Sequence, residues 1–119
     1  MCIRDSGKFS FGRRPTLDVE ATPMGTYQAI VYRAIGEQWY RQCDLNRDLI
    51  VTGTVRIRIL INKNGKISSM RQTSRVGASE VQKSFTFLAI KLARLPAMPP
   101  EVRSMLVGDS LEMYFDFNF

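Results

Sequence analysis

The 119-residue sequence predicts an α+β fold of element order α-β-β-α-β, a three-stranded antiparallel sheet with helices packed on one face. Three observations predict it. Two segments place apolar residues at helical spacing. Three segments read as strands, two of them by strict alternation. An Asn-Gly pair joins the first two strands in a tight turn. The length leaves room for one core. Residues 1–20 contain Gly7, Gly12 and Pro15 and no sustained period, so they read as a loose lead-in to a single domain over residues 21–119.

The first helix is expected in "TYQAIVYRAIGEQWYRQ", where Tyr27, Ile30, Val31, Ala34, Ile35, Gln38 and Trp39 share one face. Pro23 and Thr26 are start signals, and "CDLNRD" is the end. The first strand follows in "GTVRIRILIN". There Val55, Ile57, Ile59 and Ile61 alternate with Thr54, Arg56, Arg58 and Leu60. "NKNG" makes the turn, with Asn64-Gly65 suited to positive φ. A second, more exposed strand spans about residues 66–73.

Ser79 and Gln82 have the spacing of a capping box for the second helix. Its expected apolar stripe is Val81, Phe85, Leu88, Leu92 and Leu95, and Pro96 stops it. "PPEVRSML" suits a short helical turn ended by Gly108. The last strand, "LEMYFDFNF", alternates to the final residue. Leu111, Met113, Phe115, Phe117 and Phe119 are expected in the core, and Glu112, Tyr114, Asp116 and Asn118 outside.

Composition narrows the function classes. At 45% hydrophobic residues the chain is too apolar for a disordered tail. No apolar run approaches the roughly 20 residues of a membrane helix. The opening "MCIRDSGKFSFGRRP" lacks the apolar centre of a signal peptide. "MCIRDS" resembles translated adaptor sequence at the ends of assembled metagenomic reads. The expectation is that the natural start lies upstream and that this is a C-terminal piece.

There is no histidine, so a Ser or Cys nucleophile lacks its usual base, and the acids are scattered. No enzyme, cofactor or metal is predicted. "DLNRDLIV" places Asp44, Asn46 and Asp48 like the start of a calcium loop. However, Leu49 stands where that loop needs glycine and Val55 where it needs glutamate.

The net charge of +6 is concentrated. Arg56, Arg58, Lys63, Lys66, Arg71 and Arg75 occupy residues 51–75 with no acid among them. A basic nucleic-acid-binding α/β domain is therefore the competing reading. Two features count against nucleic acid. The outward face of the first strand offers no aromatic stacking platform, and Glu112 and Asp116 are placed to neutralise Arg56 and Arg58 across neighbouring strands.

A terminal strand can be an edge with unpaired backbone groups. The expected binding edge is the last strand, with Glu112, Tyr114, Asp116 and Asn118 facing the partner. The second strand is the less available edge, since Lys66 and Arg71 discourage pairing. A third reading has two copies of the chain pairing as a homodimer through the same edge.

The ordered set "YQAIVYRAIGEQWY", "GTVRIRILINKNGKISSM", "AIKLARLPAMPPE" and a terminal strand resembles the C-terminal domain of the TonB/TolA superfamily, over about residues 24–119. Tyr27, Ile35, the Trp39-Tyr40 pair and "KLARLPAMPPE" resemble the TolA side, while Gly53 before an alternating strand is common to both branches. The chain departs from some TolA domains in lacking a cysteine pair. The resemblance implies a periplasmic, force-transmitting adaptor anchored to the inner membrane through a region absent from this chain. Its partners are then inner-membrane motor proteins and a segment of an outer-membrane transporter or envelope protein, which adds to the last strand.

Overall fold

The computed structural model describes residues 9–11 and 22–119. The first helix, α1 (Pro23–Leu45), starts where Thr22 Oγ1 accepts the Gly25 N–H at 2.9 Å and Pro23 opens the first turn. Thr22 is thus the cap, one turn ahead of the expected Thr26, and the helix runs on to Leu45. Its buried line is Tyr27, Val31, Ile35, Trp39 and Cys43. Each step of four residues advances about 40° beyond a full turn, so the line slants around the helix as a twisted sheet requires. Ile30, on the expected face, lies off this line and is 40% exposed.

A 3-10 turn (Arg47–Leu49) leads into β2 (Thr54–Asn62), which the turn at residues 62–66 joins to β3 (Ile67–Val76). Asn62 Oδ1 accepts the N–H groups of Asn64 and Lys66 at 2.9 and 3.0 Å. Gly65 takes φ +87°, and a Cβ there would stand 2.4 Å from the Pro96 carbonyl oxygen. The turn therefore needs glycine both for its conformation and for its packing under the chain that leaves the second helix.

That helix, α2 (Glu80–Leu92), has the expected capping box. Its rotation differs from expectation. Gln82, Phe85, Thr86, Ala89 and Ile90 are buried, whereas Val81, Leu88 and Leu92 are 45%, 43% and 45% exposed. The two polar residues turn inward because each finds partners there. Thr86 Oγ1 accepts the Trp39 indole N–H at 3.1 Å. Gln82 Oε1 accepts the N–H groups of Ser79 and Val51, both at 3.1 Å, and its Nε2 donates to the Val51 carbonyl at 2.8 Å. A buried polar side chain costs little once it is satisfied.

Residues 93–99 form a connection without regular secondary structure. The Tyr27 hydroxyl donates to the Pro96 carbonyl at 2.8 Å, and the Met98 N–H to the Lys63 carbonyl at 3.1 Å. The short helix α3 (Pro100–Arg103) and a glycine at φ +91°, Gly108, precede β4 (Ser110–Asn118). β2 is central, with β3 and β4 antiparallel on either side. The predicted α-β-β-α-β order and three-stranded sheet are present, with α1 and α2 on one face. Val55, Ile57, Ile59, Ile61, Phe115 and Phe117 are fully buried beneath the helices.

One element was not expected. Phe9, Ser10 and Phe11 form β1 (Phe9–Phe11), antiparallel to β4, so the sheet order is β1-β4-β2-β3. This part of the lead-in is a strand. The rest of residues 1–20, including "MCIRDS", lies outside the described residues. No helix among the described residues is long and apolar enough to cross a membrane.

Candidate functional site: the outer edge of β4

The last strand is held from inside by its aromatics. Trp39 lies against Phe117 and Phe119 with ring centroids 5.2 and 5.1 Å apart, and Phe85 meets Phe119 edge-on at 5.9 Å. Such pairs add to the area their rings bury. The terminal residue is tied by its backbone too, since Phe119 exchanges both hydrogen bonds with Gly53, at 2.7 and 3.4 Å.

That last pair fixes the orientation of the whole strand. Hydrogen-bonded and non-bonded pairs alternate along an antiparallel ladder, and the β2–β4 register is unbroken from Thr54↔Asn118 to Asn62↔Ser110. The odd-numbered residues of β4 therefore aim their N–H and C=O groups at β2. Ser110, Glu112, Tyr114, Asp116 and Asn118 aim theirs at the outer edge. The residues expected to meet a partner are thus the ones that present both outward side chains and outward backbone.

The edge is partly filled. β1 registers Phe9 with Phe117, Ser10 with Asp116 and Phe11 with Phe115. By the same alternation Ser10 and Asp116 are its hydrogen-bonded pair. The expectation that residues 111–119 form an open edge throughout is corrected: residues 115–117 already have a strand beside them. Among the described residues, none pairs with Glu112 or Tyr114 on the side away from β2. β1 escaped the sequence reading because three residues are too few to show a period. The signal present was the likeness of Phe9-Ser10-Phe11 to Phe115-Asp116-Phe117.

The outer sheet face bears the expected charge pairs. The Arg56 guanidinium donates to both oxygens of Asp116, at 2.6 and 3.0 Å, and Arg58 Nε donates to Glu112. The bond from Arg58 holds the Glu112 carboxyl below its ordinary value, and the bond to Asp116 raises Arg56. The Tyr114 hydroxyl donates to Glu112 at 3.4 Å, and Thr54 Oγ1 donates to Asn118 Oδ1 at 3.2 Å. Arg56 and Arg58 are thereby engaged within the sheet rather than presented singly.

The stretch that resembles a calcium loop is built otherwise. Asp44 lies in the last turn of α1, 3.8 Å from Arg47, and Asn46 Nδ2 donates to the Gln42 carbonyl at 2.8 Å. Among the described residues no three His, Cys, Asp or Glu side chains gather as metal ligands would. Among known proteins, no family model matches this chain and no curated sequence is significantly similar to it.

Proposed function

We propose that this domain is a non-enzymatic adaptor of the cell envelope, resembling the TonB/TolA C-terminal domains. In this reading it acts in the periplasm and grips an extended segment of an outer-membrane or envelope partner along β4. Inner-membrane motor proteins drive it through a region absent from this chain. One observation carries the proposal. β4 is anchored from within by buried aromatics, while its outward backbone at Glu112, Tyr114, Asp116 and Asn118 faces an edge that accepts a strand at Asp116. Strand addition takes affinity from such main-chain groups and specificity from the side chains beside them.

The test uses a panel of synthetic peptides from the periplasm-facing segments of outer-membrane transporters, titrated into the labelled domain. Binding peptides are expected to shift the amide resonances of Glu112, Tyr114 and Asp116. N-methylation of the Tyr114 amide, which faces away from β2, is expected to abolish binding and leave the fold intact. If binding survives that change and instead fails on altering Thr26 or Gln38 of α1, docking is helical and strand addition is wrong.

A further inference from the structure

We propose that the cleft between the last turn of α1 and the exposed side of α2 is a second binding site, which takes an uncharged apolar side chain of a partner polypeptide together with its adjoining peptide group. The inference does not rest on the reading of β4. The cleft has a volume of about 360 Å³ and is lined by Gln42 and the cap residue Asn46 of α1 and by Glu80, Val81, Phe85 and Leu88 of α2. Ligand clefts span roughly 300–1,000 Å³, so this one suits a single side chain and its backbone.

Two observations point to a ligand. The first is Gln42. It is 7% exposed, yet among the described residues its side-chain amide has no hydrogen-bond partner. The other buried polar side chains, Gln82 and Thr86, are both paired. A buried amide without partners costs stability, so Gln42 weakens the free domain until something meets it. An amide offers a donor and an acceptor together, which complements a peptide group. The second observation is the apolar wall. Val81 and Leu88 are 45% and 43% exposed, and Phe85, edge-on to Phe119, lies between them along the helix. The stripe expected in the core thus borders a surface cleft. Apolar walls with one convergent polar group are the composition of a recognition site. Charge decides the class of ligand. Glu80 is the one ionisable lining residue, and its carboxylate is shared by Arg75 at 3.0 Å and Lys83 at 3.9 Å. The cleft is therefore close to neutral and matches an uncharged group, not a phosphate.

The test titrates N-acetyl-leucine N-methylamide, one apolar side chain between two peptide groups, into the labelled full chain. It is expected to bind at about 1 mM, with shifts at Gln42, Val81 and Leu88 and none at Glu112 or Tyr114. No saturable shift overturns the proposal. Shifts at Glu112 and Tyr114 instead put the probe on the β4 edge, which overturns this proposal and leaves strand addition standing. Free leucine, with the same side chain and charged ends, is expected not to bind. Equal binding of free leucine means that an amino acid rather than a chain fills the cleft, and overturns the proposal. Gln42→Leu keeps the bulk and removes the amide. It is expected to weaken the probe about tenfold and to raise the urea midpoint of the free domain. Unchanged affinity means that the amide plays no part in recognition. An unchanged or lowered midpoint means that Gln42 serves the packing of the two helices. Either result overturns the proposal.

Discussion

Phe115 sits at the middle of β4 with no exposed surface, and the Tyr32 ring stacks near it at 6.1 Å. Phe115→Ala leaves a cavity that neighbours on β2 and α1 cannot fill without moving. The expected loss is about 3–5 kcal/mol, read from the urea midpoint. Tyr32 itself gives a pH signature. Burial, with a smaller contribution from Tyr40, pushes its phenol up to about 12. A group whose folded value is raised holds its proton longer in the folded state than in the unfolded one. Its contribution to stability is therefore complete below the ordinary value of 10.0 and declines as pH rises from there to about 12. Tyr32→Phe is expected to lose less stability than the parent over that window. Equal losses in the two proteins would mean that Tyr32 ionises freely in the fold. At this scale the sequence is highly legible, because a strand has a period of two. Every inward and outward assignment on β2 and β4 follows from alternation alone.

Elements were legible where the local signal was complete and opaque where partners decided the outcome. The capping box of α2 is a four-residue signal and is present as read. The rotation of that helix was not readable from its own residues, because Gln82 and Thr86 become core only through Val51 and Trp39, which are distant in sequence. The leucines they displace, Leu88 and Leu92, stay near the surface. β1 was opaque for a different reason. Its pairing lies more than 100 residues away in sequence, and a three-residue strand has no stability of its own. Gln82 offers the test at this scale. One amide side chain caps α2 and also ties the loop before β2 through both backbone groups of Val51. Gln82→Ala removes all three bonds and is expected to cost about 2–3 kcal/mol. Ser79→Ala, which removes only the other half of the box, is expected to cost about 1 kcal/mol. Equal costs in the two variants would show that the link to Val51 contributes nothing.

Across the whole molecule the net charge of +6 invites a phosphate-binding reading, yet the fold spends most of the basic segment internally. Of the six basic side chains in residues 51–75, Arg56, Arg58, Lys63 and Arg75 have acidic neighbours at Asp116, Glu112, Asp109 and Glu80. Among the described residues, Lys66 and Arg71 have none. Both lie at the turn and strand of the β3 side, away from the β4 edge. Oligonucleotide binding by this domain should therefore be weak and should not use the sheet arginines. The salt dependence of affinity counts contacts, at a slope of about −0.7 per phosphate for single strands. With a single-stranded oligonucleotide as probe, the double variant Arg56→Gln, Arg58→Gln is expected to keep the slope of the parent. A slope shallower by about 1.4 would mean that both arginines leave their carboxylates for phosphate. The ion pairs would then be a resting state of a nucleic-acid interface. An unchanged slope, together with peptide binding that is insensitive to salt, leaves the uncharged backbone of β4 as the surface through which the domain recognises its partner.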